Sequence, residues 1–324
     1  GDEAGFGSGV TQSPFQTAPL YADLGLGPEG GEAFWLTTAD GIRIRAGVWP
    51  VGDKGTVLLF PGRTEYIEKY GMAAGDLQAR GYATVCIDWR GQGLADRLLP
   101  DRMLGHVAQF QDYQLDVQAV LDLARGLGLP EPYYLLSHSM GGAIALRSLL
   151  RGLPVKAAVF SAPMWGIAMA AWMRPFAQPI AQVSKWLGQA HRLAPSTSDK
   201  SYVLEADFGG NVLTSNPEMW RYMKRQVTER PELALAGPSL AWLSTALAEC
   251  HEMALAPAPD YPVLTAIGTA EKVVDVTAVH LRMAGWRRGR LEFFVGAEHE
   301  IPMETAAHRK RFFDLTAELF DAQR

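Results

Sequence analysis

The chain predicts an α/β fold: a mostly parallel sheet flanked by helices, with a helical segment inserted between two core strands. Three observations predict it. Short apolar, β-rich runs alternate with helical stretches, the pattern of parallel strands joined by right-handed crossovers. One such run, Tyr133-Tyr134-Leu135-Leu136, enters a tight turn of mostly small residues, Ser137-His138-Ser139-Met140-Gly141-Gly142, that opens a helix at Ala143-Ile144-Ala145-Leu146. The alternation then stops from Pro163 to Pro259, where no strand pattern occurs.

The elements follow in order. Phe34 to Thr38 and Ile42 to Trp49 flank Ala39-Asp40-Gly41, a hairpin signal. Thr56 to Phe60 is a short strand that ends in a Pro61-Gly62 loop, and Glu65 to Arg80 reads as a helix stopped by Gly81. Ala83 to Asp88 is a strand. Gln109 to Leu127 carries Phe110, Tyr113, Val117, Val120, Leu121 and Ala124 at helical spacing. Strands at Tyr133 to Ser137, Ala157 to Ser161, Val263 to Gly268 and Leu291 to Val295 complete the sheet. Ligands of such sheets bind at the C-terminal ends of the strands.

This pattern divides the chain into a flexible lead-in (1–30), a core (31–162 and 260–324) and a helical cap (163–259). The lead-in is rich in Gly, Ser, Thr and Pro up to Pro19 and has neither the basic nor the apolar region of a signal peptide. The cap holds Trp165, Trp172, Trp186, Trp220 and Trp242, with Met164, Met169, Met173, Met219, Met223 and Met253. Most of these residues are expected to pack the cap's own interior, and a minority to line an apolar pocket.

With 324 residues, 48% hydrophobic and 20% charged, the chain has the composition of a globular protein holding one large domain and an insertion. A net charge of -5 disfavours a nucleic-acid partner. No apolar run reaches membrane-spanning length; the longest candidate, Trp165 to Met173, ends at Arg174. Cys86 and Cys250 offer neither a disulfide framework nor a metal-ligand set, and Cys86 reads as a buried free thiol. A cytoplasmic location is expected, with transient membrane-surface contact through the cap.

The turn around Ser139 carries the chemistry. A strand, a sharp turn centred on serine and a helix form a nucleophile elbow, with the helix N-terminus turned towards a developing oxyanion. The pattern is G-x-S-x-G, and Ser137 stands at its first glycine. A serine nucleophile needs a histidine base oriented by a carboxylate. In folds with this elbow the order along the chain is serine, acid, histidine. Of seven histidines, only His299 lies just past the last strand. The acid belongs after Val263 to Gly268, where Glu271 is the first choice and Asp275, also placed to cap the next helix, is the alternative. An oxyanion hole needs two N–H donors: Met140 supplies one, and Arg63 in the loop after Phe60 the other. The Arg63 side chain can meet a phosphate or glycerol group, or form a salt bridge to Glu65 or Asp88. His138, Met164 and Trp165 are further candidate substrate contacts.

Several stretches together resemble the lysophospholipase L2 and monoacylglycerol lipase-like group of α/β hydrolases. They are Pro61-Gly62-Arg63 with Glu65 and Glu68-Lys69-Tyr70, Asp88-Trp89-Arg90-Gly91-Gln92-Gly93, Leu104-Gly105-His106-Val107, His138-Ser139-Met140-Gly141-Gly142, Ala162-Pro163-Met164 and Gly296-Ala297-Glu298-His299-Glu300. The P-G-R loop and the glutamate at the acid position look like the lysophospholipase L2 branch. The chain departs from the group at Ser137 and at Trp89, where relatives often have histidine. The resemblance implies an α/β-hydrolase fold with an eight-stranded core and a helical cap. It also implies hydrolysis of lipid-like carboxylic esters without cofactor or metal, through an acyl-enzyme on Ser139 with Glu271 and His299. The expected substrate is a lysophospholipid, with a monoacylglycerol or a general carboxylic ester as alternatives. A C–C bond hydrolase or a non-catalytic ligand-binding protein are the remaining readings.

Overall fold

A computed structural model describes residues 5–7, 15–168, 179–180, 182–183, 188–194 and 197–324. Trp172, Trp186, Met169 and Met173 lie outside the described residues. Nine strands form one sheet: β1 (Gln16–Ala18), β2 (Glu32–Thr37), β3 (Arg43–Trp49), β4 (Gly55–Phe60), β5 (Tyr82–Asp88), β6 (Tyr133–His138), β7 (Ala158–Ser161), β8 (Val263–Gly268) and β9 (Gly289–Phe294). Their order across the sheet is β1-β2-β3-β5-β4-β6-β7-β8-β9. The first four in that order pair antiparallel, and every pair from β5 to β9 is parallel. β4, β5 and β6 are buried along their whole length and read as continuous apolar runs, as strands covered on both faces must.

The sheet corrects two expectations. It has nine strands, not eight, because β1 adds an antiparallel edge, Thr17 opposite Phe34 and Ala18 opposite Ala33. For the same reason residues 15–30 are not a flexible lead-in. Beyond β1, the helical turn α1 (Ala22–Gly25) buries Leu24, and buried charges grip the backbone here. Arg45 Nη1 donates to Pro19 O at 2.8 Å, and Tyr21 N donates to Glu68 Oε2 at 3.0 Å. These partners are distant in sequence, so composition alone could not reveal them.

On the two faces of the sheet lie α2 (Gly71–Gln78), α3 (Tyr113–Gly126), α4 (Met140–Leu150) and, after the insertion, α8 (Val276–Ala284) and α9 (Ala306–Asp321). Among the described residues, the segment between β7 and β8 contains no strand of the sheet. It contains α5 (Tyr202–Glu205), α6 (Pro217–Glu229) and α7 (Leu240–Leu255). No helix of the described residues is long and apolar enough to cross a membrane. Cys86 and Cys250 are both buried free thiols.

Candidate active site

The parallel register brings the site together. Phe60 pairs with Ser137, so the loop after β4 lies beside the turn after β6. Ser161 pairs with Ala266, and Gly268 with Phe294, which lines up the ends of β7, β8 and β9. Ser139 sits between β6 and α4 with φ 51° and ψ −118°. A serine held there costs about 1–3 kcal/mol of backbone strain and persists because the surroundings over-determine it. The surroundings are tight. A Cβ on Gly141 would come 2.1 Å from Phe60 O, and one on Gly142 would come 2.6 Å from Pro163 Cβ, so both positions exclude side chains. Ser137, in place of the first elbow glycine, is fully buried, and its hydroxyl has no hydrogen-bond partner among the described residues.

Three predicted residues meet in a line. His299 Nε2 lies 3.0 Å from Ser139 Oγ, and His299 Nδ1 lies 2.6 Å from Glu271 Oε1. Glu271 folds back to reach the ring, because its other oxygen accepts the N–H groups of Val273 (2.7 Å) and Val274 (3.3 Å). Burial works to raise this carboxyl, but the His299 contact and the two amides outweigh it, and the group stays below the ordinary glutamate range. A carboxylate on Nδ1 leaves Nε2 free to accept the serine proton, which makes the hydroxyl a usable nucleophile. Asp275 is not part of this line. It caps α8, accepting Thr277 N at 3.0 Å, the structural role its position in the sequence also suggested.

The loop Pro61–Glu65 packs onto the nucleophile: a Cβ on Gly62 would sit 3.2 Å from Ser139 Cβ. The Arg63 and Met140 N–H groups have no hydrogen-bond acceptor among the described residues, so both are available to an incoming oxyanion. Several polar contacts hold the loop. Trp89 Nε1 donates to Pro61 O at 2.8 Å, Gln92 Nε2 donates to Gly62 O at 2.8 Å, and Gly62 N donates to the Glu65 carboxylate. Trp89 also packs edge-on against Phe60 and Tyr113. It thereby braces the loop from beneath.

Sequence reasoning missed a buried charged cluster in the same wall. Lys69 Nζ lies 2.8 Å from Glu65 Oε2 and 2.5 Å from Glu300 Oε1, so one ammonium ties the loop after β4 to the loop that carries His299. Burial opposes the charge on Lys69, but the two carboxylates override it and raise its pKa. Burial likewise opposes ionisation of Glu65, yet the ammonium holds that carboxyl at about 2; Glu300, by contrast, is pushed up by burial. Burial also pushes the His138 imidazole down to about 3, so His138 is neutral, with Nδ1 3.1 Å from Ser161 O. The carboxylates of Glu65 and Glu300 and the His138 ring nitrogen converge closely enough to suggest a metal site. The Lys69 ammonium already supplies the positive charge between the two carboxylates. The available signal was the i,i+4 spacing of Glu65 and Lys69.

A cavity of about 420 Å³ opens onto Ser139 and His299. Its wall is largely apolar, with Met164, Met223, Leu235 and Trp242 among the lining residues, and Arg63 and His138 also line it. Trp165 does not line it, which corrects its assignment as a substrate contact. Its indole donates to Gly142 O at 3.1 Å and packs between Phe160 and Trp286, in the core behind the elbow. Met219 and Trp220 are likewise core residues of the insertion.

Comparison with known proteins places this geometry. The family model described as serine aminopeptidase, S33, matches residues 52–306. The chain belongs to that family. Lysophospholipase L2 of Escherichia coli (strain K12) is 34% identical over 270 residues, which cover 78% of this chain and 76% of the relative. Probable lysophospholipase L2 of Haemophilus influenzae is 28% identical over 250 residues, 76% of this chain and 78% of the relative. Among solved structures, a soluble variant of monoglyceride lipase from Saccharomyces cerevisiae in complex with a substrate analog superposes with a TM-score of 0.68. It is 20% identical and covers 89% of this chain and 94% of its own. That likeness shows that the family member described here has the α/β-hydrolase fold.

Proposed function

We propose that the chain is a lysophospholipase, which releases the fatty acid of a lysophospholipid through an acyl-enzyme on Ser139. The observation that carries the reading is the Glu271–His299–Ser139 line opening onto an apolar cavity, in a chain of this family that is 34% identical to a relative named lysophospholipase L2. His299 takes the hydroxyl proton as Ser139 attacks the ester carbonyl, Glu271 stabilises the imidazolium, and the Arg63 and Met140 N–H groups hold the oxyanion. The alcohol leaves with the proton from His299, and water activated by the same ring clears the acyl-enzyme. An aminopeptidase would need a free acid near the serine to hold the substrate ammonium. The cavity's Glu65 and Glu300 each face the Lys69 ammonium through one oxygen, which favours the ester substrate.

The insertion serves as a lid in this proposal. Ile180, Val183, Tyr202, Leu204 and Phe208 are large exposed apolar side chains within it, which suits transient contact with a lipid surface. The test is fatty-acid release from lysophosphatidylcholine and from a monoacylglycerol of equal chain length, with Ser139→Ala as the blank. Faster Ser139-dependent release from the lysophospholipid is expected. Release from the neutral ester alone would replace the reading with a monoacylglycerol lipase.

A further inference from the structure

Burying a guanidinium is tolerated when acids or carbonyls answer it, and the arginines of this protein differ in how fully they are answered. Arg45 pairs with Asp88 and Glu68, Arg90 with Asp116 and Asp40, and Arg147 with Glu249 and Glu252. Arg97 has no acid partner among the described residues but donates to the backbone carbonyls of Gly93, Ala95, Arg102 and Glu232. Among the described residues Arg63 has a single hydrogen bond, from Nη1 to Ala236 O at 2.6 Å, and its Cζ lies 5.7 Å from the centre of the Trp242 ring. No carboxylate among the described residues is within ion-pair distance of it. Both acids near enough in sequence to be expected as its partner are engaged elsewhere. Glu65 accepts Gly62 N and Tyr70 OH and faces Lys69. Asp88 accepts Arg45, Ile67 N and Leu94 N. The undescribed residues of the insertion cannot answer it with an acid either, because Ser161 to Ser198 contains no Asp or Glu. Burial pushes the Arg63 guanidinium down to about 10, which still leaves it charged at neutral pH. Nε and Nη2 have no partner among the described residues, and the side chain lines the cavity that holds Ser139.

We propose that the Arg63 guanidinium is the receptor for the anionic phosphodiester of the substrate's headgroup. The proposal rests on the lysophospholipid reading and deepens it. One residue then holds both ends of the reacting half of the substrate: its backbone N–H meets the ester oxygen, and its side chain reaches along the cavity to the phosphate. The reach from an arginine Cα to its guanidinium is similar to that from the ester carbonyl, across the glycerol, to the phosphorus. The fork of free N–H donors suits two phosphate oxygens, and the Trp242 face and the Ala236 carbonyl hold the fork in place.

The test measures kcat/KM for wild type, Arg63→Gln and Arg63→Lys on 1-palmitoyl lysophosphatidylcholine and on 1-palmitoylglycerol, the same ester with and without the phosphodiester. In Arg63→Gln the ratio of the two values should fall on the order of 10²-fold, with part of it retained in Arg63→Lys. An unchanged ratio in Arg63→Gln overturns the proposal. A second arm needs no variant: sn-glycero-3-phosphocholine and inorganic phosphate are each tested as inhibitors of wild-type neutral-ester hydrolysis. Competitive inhibition by the glycerophosphodiester supports the proposal. Inhibition by neither, or by inorganic phosphate alone, overturns it as a headgroup receptor. A wild-type enzyme that cleaves only the neutral ester would sink the lysophospholipid reading; the inhibition arm repeated on Arg63→Gln would still decide the role of Arg63, loss of the inhibition supporting it and unchanged inhibition overturning it.

Discussion

Glu65, Glu68 and Lys69 lie within five residues of one another, yet they feed two buried ionic clusters of opposite character. Glu68 faces the antiparallel half of the sheet. There Arg45, Glu68 and Asp88 are sealed from solvent, and the two carboxylates also accept the N–H groups of Tyr21, Ile67 and Leu94. Glu65 and Lys69 face the parallel half, where with Glu300 they form part of the cavity wall beside His138 and His299. This second cluster is less complete: Glu300 Oε2 has no hydrogen-bond partner among the described residues. Arg63, beside it, has a single hydrogen bond among the described residues. A buried charge with every partner in place supports the fold, whereas a charge left partly unanswered at a cavity is where, in our proposal, the substrate completes it.

The comparison breaks most visibly at the nucleophile. Ser139→Ala should lower turnover on the order of 10⁶-fold if Ser139, His299 and Glu271 act as a unit. The variant should unfold in urea at a concentration no lower than wild type, because the interaction removed serves chemistry; a large loss of stability would refute that division. Glu271→Gln comes next, with a loss on the order of 10⁴-fold from the wrong histidine tautomer. Asp275→Asn, which keeps a good helix cap, should change turnover only a few-fold. If Asp275→Asn were the more damaging of the two, the acid would have to be reassigned.

The sealed cluster should respond in the opposite way. Arg45→Met strands two buried carboxylates and should cost about 3–5 kcal/mol in urea unfolding. The specific activity of the molecules that remain folded should stay close to wild type. The smallest effect is a pH dependence. Glu65 is held at about 2 in the folded protein against 4.5 for a free glutamate. A depressed carboxyl contributes stability fully above the unfolded value, and that contribution is lost as pH falls through the folded value. The gap in Tm between wild type and Glu65→Gln should therefore be widest above pH 4.5 and narrow towards pH 2. A gap that widens on acidification would mean that Glu65 is not ionised beside Lys69.

Much of the fold was legible in the sequence because its signals are local. The alternation of apolar runs with helical spacing located β2 to β9 to within a few residues. The tight turn at Ser139 and the position of His299 just past the last strand narrowed the search for a nucleophile and a base. The choice between Glu271 and Asp275 was not local, since both follow β8; it rests on which carboxylate meets His299 after the chain has folded. Trp165 shows the same limit from the other side. Its place at the start of the tryptophan- and methionine-rich insertion suggested the cavity, but packing against Phe160 and Trp286 put it in the core.

By itself the sequence determined the α/β class, the elbow and the chain order of serine, acid and histidine, because propensity, periodicity and turn chemistry act over a few residues. The tertiary structure alone decided that residues 16–18 add a ninth strand, that Glu68 answers Arg45, that Lys69 reaches Glu300 across 231 positions and that Arg63 is left without an acid among the described residues. The partners of a buried charge are whichever groups the folded chain brings within a few ångströms, and spacing along the sequence does not encode that distance.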